Sequence, residues 1–308
     1  MAISTALALG ACTGSGQKSG SLAGGASATA APSAPATPAT SPEDYRRALD
    51  GAVKQLNAAL TAFEKAAAYK ALPQRMTAAE QAAASAVAQL GQVTPPAAVA
   101  AEHTALVTGM QRLRDDLTAL RQDVNDRALC TASAVRARLA PAETTTAVRD
   151  AARALTAKDP AYPIALKPPT AVKDASRRLS NGSFVRSGGR GGRGSLNIDN
   201  GGSADAVITL LRGRRPVYSV YVRKGKKYEV TGVNDGTYQV FFSTGAGWDA
   251  GAKSFSRNCA FERFEDSLAF KTTYTSTQIR WSKWRITLQP VAGGTARTSP
   301  VDPGAFPG

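Results

Sequence analysis

The sequence predicts an α + β protein whose two kinds of structure occupy separate domains: an N-terminal antiparallel helical bundle and a C-terminal antiparallel β-sandwich. Three observations predict it. From Tyr45 to Val124 apolar residues recur in steps of three and four, the period of a helix face. From Gly194 onward they alternate in steps of two, the period of a strand. Stretches rich in Gly, Pro and Ser divide the chain, giving segments 1–12, 13–42, 43–158, 159–193, 194–290 and 291–308.

In chain order, residues 1–12 are an apolar start, Ile3 to Leu9, ending in Leu9-Gly10-Ala11-Cys12. Residues 13–42 carry one charge, Lys18, and one large apolar side chain, Leu22. So little apolar surface cannot offset the entropy of ordering, which predicts a disordered tether spanning roughly 30 Å as a coil. The first helix opens at Ser41-Pro42, with Glu43 and Asp44 placed to suit the helix dipole. Tyr45, Leu49, Val53, Leu56, Leu60, Phe63 and Ala67 form its stripe, and Leu72-Pro73 is expected to end it. Thr77-Ala78-Ala79-Glu80 has the form of a capping box and predicts the start of an Ala-rich second helix. After Pro95-Pro96, a third stripe runs through Val99, His103, Leu106, Met110, Leu113, Leu117, Leu120 and Val124. A shorter helix holds Cys130, Val135 and Leu139, and a last one carries Val148, Ala152 and Leu155. Short connections between such helices imply antiparallel packing.

Residues 159–193 read as a basic linker. Pro160, Pro163, Pro168 and Pro169 oppose helix, and the Arg/Gly run Arg186 to Arg193 reads as a flexible basic hinge rather than an RNA-binding segment. Strands follow at Leu196–Ile198, Ala206–Leu211, Val217–Arg223, Tyr228–Val233 and Tyr238–Phe242, with later ones at Ser267–Tyr274 and Gln278–Gln289. Asn234-Asp235-Gly236 predicts a hairpin. The tail from Val291, rich in Gly, Pro and Thr, is expected to be disordered.

Leu9-Gly10-Ala11-Cys12, at the end of an apolar run and ahead of a flexible tract, resembles the lipobox of bacterial lipoproteins. The resemblance implies that Cys12 is the lipid-attachment site and the first residue of the mature chain. It implies an extracytoplasmic protein held to the outer face of the cell membrane by that lipid anchor. A signal peptide opens with Lys or Arg and Met1-Ala2-Ile3-Ser4 has neither, so the start of translation is expected upstream of Met1. The Ala- and Arg-rich composition is similar to that of actinobacterial exported lipoproteins. Separately, Tyr228 to Val233 followed by Asp235-Gly236-Thr237-Tyr238-Gln239-Val240 resembles the transthyretin-like and carboxypeptidase-regulatory sandwiches, which implies a fold rather than an activity.

The formal net charge is +15, and it is uneven. Residues 43–170 carry 16 basic and 13 acidic groups, residues 171–308 carry 21 and 10. A basic C-terminal part favours anionic partners; outside a cell these are acidic lipids or wall polymers, and no nucleic acid is expected. The cations Arg212, Arg214, Arg215, Lys224, Lys226 and Lys227 are the candidate anion-binding set. Trp281 and Trp284, three apart, point to opposite faces of a regular strand, so at least one is available to stack on sugar, flanked by Arg280, Lys283 and Arg285. With lipid on Cys12, the two remaining cysteines, Cys130 and Cys259, form either one disulfide or two buried thiols.

Catalytic groups are scarce. The single histidine, His103, lies in an apolar stripe and reads as a packed residue, and no Ser-His-Asp or Cys-His arrangement forms around it. One histidine and two distant cysteines do not make a zinc site, and Gly188 to Gly194 lacks a phosphate-loop frame. Glu262, Glu265 and Asp266, with Arg263 among them, read as a local ion-pair cluster rather than a calcium site. No catalytic residue, cofactor or metal is assigned, and the chain is expected not to be an enzyme. The expected role is a binding module for an anionic polymer, a carbohydrate or an envelope protein. The alternatives are an envelope hydrolase using carboxylates of the β-domain, and an assembly lipoprotein acting through the bundle.

Overall fold

A computed structural model describes residues 40–66, 69–174, 176–291 and 294–307. Cys12, the segment expected to be a lipobox and residues 13–39 of the expected tether lie outside the described residues. The described part divides into a helical region and a sheet region.

The first helix, α1 (Pro42–Glu64), is capped by Ser41, whose Oγ accepts from the Asp44 N–H at 3.1 Å. Its stripe is buried from Tyr45 to Phe63. A 3₁₀ turn at Tyr69–Ala71 leads into α2 (Leu72–Gly91). The sequence places this boundary differently: Pro73 does not end the first helix but sits in the first turn of the second, where a missing N–H costs nothing. Thr77 therefore lies inside α2 and donates to the Pro73 carbonyl at 3.1 Å instead of capping. Then come α3 (Ala100–Asn125), α4 (Ala132–Leu139), capped by Thr131, and α5 (Glu143–Lys158). Gly109 lets α3 and α5 approach closely, since a Cβ there would lie 3.1 Å from Val148 Cα.

The sheet region begins with β1 (Phe184–Ser187), β2 (Gly194–Asn200), β3 (Asp205–Arg212), β4 (Arg215–Val222), β5 (Lys226–Val233) and β6 (Gly236–Asp249). It continues through β7 (Ser254–Phe264), β8 (Leu268–Phe270), β9 (Thr272–Tyr274), β10 (Ile279–Trp281), β11 (Lys283–Thr287) and β12 (Thr298–Pro300). The larger sheet has the order β1-β4-β3-β6-β7-β12, with β8 on the start of β6; a three-stranded sheet has the order β11-β2-β5. Leu196, Ile198, Val230, Val233 and Ile286 of the smaller sheet share one core cluster with Ile208, Leu210, Val220, Val240 and Phe242 of the larger. All pairings are antiparallel except β2 with β11, which is parallel, so the sheet region departs from the all-antiparallel expectation.

Several connections also differ from expectation. Asn234-Asp235-Gly236 is not a hairpin turn: β5 pairs with β2 and β6 with β3, so the corner carries the chain from the smaller sheet to the larger. Tyr238 Oη donates back to the Asn234 carbonyl at 3.0 Å and fixes the corner. Residues 159–193 are not a free hinge. Asn57 holds Ala165 O and Lys167 N at 2.7 Å each, Trp248 N donates to Arg177 O at 2.8 Å, and β1 pairs with β4. The Arg/Gly run is held as well: Gly191 N donates to Asn234 Oδ1, and the Arg190 guanidinium lies 4.3 Å from the Phe184 ring centroid. The tail expected to be disordered contributes β12 to the edge of β7, and Phe306 packs against Phe241 and Phe261.

The helical and sheet regions are joined by more than their linker. Cys130 and Cys259 form a disulfide, with Cα atoms 6.3 Å apart. Beside it, Cys130 N donates to Ser256 O at 2.8 Å, and Asn258 N and Cys259 N donate to Ala128 O and Arg127 O. The loop before α4 thus extends the edge of β7.

Candidate binding surface

The chain between Asp266 and Asp302 contains no acid, and its first half contains a small two-stranded hairpin. In β9 and β10, Tyr274 lies opposite Ile279 and Thr272 opposite Trp281. Directly opposed residues share a face, so Tyr274, Ile279 and Trp281 point the same way, with Thr273 and Arg280 on the other face. The tip closes through Thr275, whose N–H donates to Gln278 O at 2.9 Å and whose Oγ1 accepts from Gln278 N at 3.0 Å. At the root, Asp235 accepts from Thr272 N and Thr272 Oγ1, both at 2.8 Å. Ser282 N donates to Lys271 O, and the Trp284 indole N–H donates to Ala269 O at 2.9 Å. The base is therefore fixed while the face stays open.

That face is unusual in what it exposes. Tyr274 (67%), Ile279 (41%), Trp281 (40%) and Trp284 (38%) are four of the five exposed large apolar side chains among the described residues. Three of them, Tyr274, Ile279 and Trp281, share the hairpin face, and Trp284 lies on β11 in register with Leu196. Lys283 Nζ lies 5.6 Å from the Trp281 ring centroid, whereas Arg280 lies on the opposite face with its guanidinium bonded to Gln278 Oε1, and Arg285 is paired with Asp199. The two tryptophans belong to different strands, because Ser282 separates β10 from β11. Their shared exposure follows from that break rather than from strand alternation. Tyr274 and Ile279 were not singled out by sequence; their membership depends on the β9–β10 register.

The six cations singled out by sequence do not form one site. Arg212, Arg214 and Arg215 occupy the β3–β4 turn, whereas Lys224, Lys226 and Lys227 occupy the β4–β5 connection. These lie at opposite ends of β4, about 25 Å apart at strand rise. The Arg212 guanidinium lies against Gly236, whose φ of 146° and lack of Cβ leave it room. Lys227 is drawn to Asp199 at 3.1 Å, as is Arg285. The hydrogen bond from Lys227, helped by Arg285, holds the Asp199 carboxyl below its usual range.

A second polar cluster is buried and structural. Asp205 accepts from Arg178 Nε at 2.7 Å and Nη2 at 2.5 Å, from the Tyr221 hydroxyl, and from Lys224 N at 2.9 Å. Burial pushes its pKa up, but these hydrogen bonds prevail and bring it down to about 2. Burial and the adjacent carboxylate raise the Tyr221 hydroxyl. With its oxygens occupied, Asp205 has little capacity left for a ligand. It pins residues before β1 to the sheet.

His103 is buried in the helical region, its Nδ1 3.0 Å from Tyr45 Oη. Burial lowers its pKa, and burial pushes Tyr45 up to about 12. Near the acidic residues 262–266, Glu265 accepts from Ser299 Oγ at 2.6 Å. No group of three or more His, Cys, Asp or Glu that would hold a metal gathers among the described residues. No helix among them is long and apolar enough to cross a membrane. Comparison with protein-family models, with curated proteins and with solved structures finds no match, so the function rests on this chain's own geometry.

Proposed function

We propose that this protein is a non-enzymatic binding module of the cell envelope, held outside the membrane by lipid on Cys12, whose β9–β10 hairpin grips an anionic carbohydrate polymer. The sheet region is read as a β-sandwich of the transthyretin-like kind, serving as the rigid platform for the hairpin. One observation carries the reading: the exposed Tyr274, Ile279 and Trp281 share one face of the hairpin, with the exposed Trp284 following on β11 in the same acid-free segment. Flat aromatic faces stack on sugar rings through their C–H groups, and the polarity of the indole and phenol edges suits a wet interface. Lys271 and Lys283 supply the charge that meets acidic substituents and speeds encounter.

The test is retention of the soluble part on isolated cell wall across a salt series. Retention is expected to fall with added salt, and to fall about tenfold or more in the W281A/K283Q variant. Retention unchanged by salt and by that variant overturns the reading.

A further inference from the structure

The larger sheet has a second face, turned away from the smaller sheet. On it the register places Thr209 beside Ser219 and Val207 beside Ser243, with Phe261 next to Ser243 on β7. The disulfide, Tyr69 and Phe306 cover this face, yet they do not fill it. A cavity of about 260 Å³ remains between the sheet, the Tyr69–Lys70 turn, the Ala252–Ser254 turn and the chain at Pro303–Pro307.

Its lining combines three kinds of chemistry. The floor carries the hydroxyls of Thr209, Ser219 and Ser243, each at most 6% exposed on a face otherwise made of Val207, Tyr221 and Phe261. Burying a hydroxyl on an apolar face is costly unless it is hydrogen-bonded. Thr209 and Ser219 bond to each other at 3.0 Å. Two hydroxyls joined by one hydrogen bond use one of their two protons, so the pair keeps a proton to donate. The walls are apolar, chiefly Phe261, Phe306 and Val185. The rim carries Lys70, Arg186 and Lys253, and no acid lines the cavity. Lys253 adopts a left-handed backbone, φ 49°, uncommon for a residue with a side chain.

We infer that this cavity is a binding site for a small organic anion, a phosphate or carboxylate carried on an aromatic or branched apolar group. The apolar part lies against the wall formed by Phe261, Phe306 and Val185, the floor hydroxyls donate, and the rim cations hold the charge. The volume admits a metabolite-sized ligand rather than a polymer, which separates this site from the hairpin surface.

Phenyl phosphate is the probe, titrated into the full disulfide-bonded chain and followed by amide NMR. Saturable shifts are expected at Thr209, Ser219 and Ser243, with inorganic phosphate binding more weakly. The K70Q/K253Q variant changes two exposed side chains, leaves folding intact, and is expected to weaken binding about tenfold or more. S243M, which fills the cavity, is expected to abolish the shifts, whereas W281A leaves them unchanged. Absence of saturable shifts at these amides at millimolar probe overturns the inference. So does equal affinity in the wild type and K70Q/K253Q.

Discussion

Arg178 grips Asp205 through two hydrogen bonds, of 2.7 and 2.5 Å, across the boundary between the segment preceding β1 and the sheet. Asp205 is buried whereas Arg178 is partly exposed. The carboxylate is therefore the member whose loss is felt. With a folded pKa of about 2 against an ordinary 3.8, it contributes about 2 kcal/mol of stability at neutral pH. This contribution is present above the unfolded pKa and is lost as pH falls from 3.8 towards 2. Asp205→Asn is expected to destabilise by about 1–3 kcal/mol at pH 7. The variant's disadvantage should shrink below pH 3.8, as measured by urea unfolding across pH.

His103 gives a second, separate pH window. Its folded pKa is depressed from the ordinary 6.5 by burial. The unfolded state therefore binds the extra proton first, and stability falls as pH drops below 6.5. His103→Gln is expected to remove this slope between pH 7 and pH 5, leaving the lower, Asp205-dependent limb intact. Thermal unfolding midpoints over that range check it. An undiminished slope in the variant would place its origin elsewhere.

Reduction of Cys130–Cys259 should loosen the junction between the helical and sheet regions. Both cysteines are buried, so native protein is expected to resist a mild reductant until it is partly unfolded. The paired Cys130→Ser and Cys259→Ser variant is expected to lose about 2–5 kcal/mol. Limited proteolysis of that variant should cut first near Arg127, beside the junction.

The cations and the aromatics make opposed predictions for wall retention. Because Lys224, Lys226 and Lys227 lie at the far end of β4 from the arginine turn, whose Arg212 sits against Gly236 beside the Asp235 that holds the hairpin root, replacing these three lysines with Gln is expected to change retention less than twofold. Lys283→Gln, one cation beside Trp281, is expected to do more. Trp281→Ala should cost under about 1 kcal/mol in stability, since the ring is already partly exposed. Its effect on retention then reports binding rather than unfolding.

The helices were legible because one period serves both sequence and burial: Tyr45 through Phe63 and His103 through Val124 are buried as their spacing requires. The start of α2 was not, since a capping box at Thr77 is indistinguishable from an interior threonine until Pro73 is known to lie in the first turn. Among the strands, β7 escaped because Asn258 adopts a left-handed φ of 49° and its charges, Arg257, Glu262 and Arg263, blur the alternation. The Asn234 corner has the composition of a hairpin turn, and only strand pairing shows that it changes sheets. Trp281 and Trp284 were marked by their spacing and by the cations around them. The remainder of the surface needed the β9–β10 register. The grouping of six cations failed because sequence proximity at two turns says nothing of the strand length between them.

The Cys130–Cys259 bond also sets a mechanical route through the molecule. A pull applied between the start of α1 and the β9–β10 hairpin travels along α1, α2 and α3 to Cys130, crosses the sulfurs, and reaches the hairpin from Cys259. It bypasses a chain separation of 129 residues, including α4, α5 and β1 to β6. Even if those elements came apart under load, roughly 450 Å of contour length would stay locked out of the extension. A protein anchored at one end and holding a wall polymer at the other would thus be limited in reach to its tether, α1 to α3 and the short path from Cys259 to the hairpin.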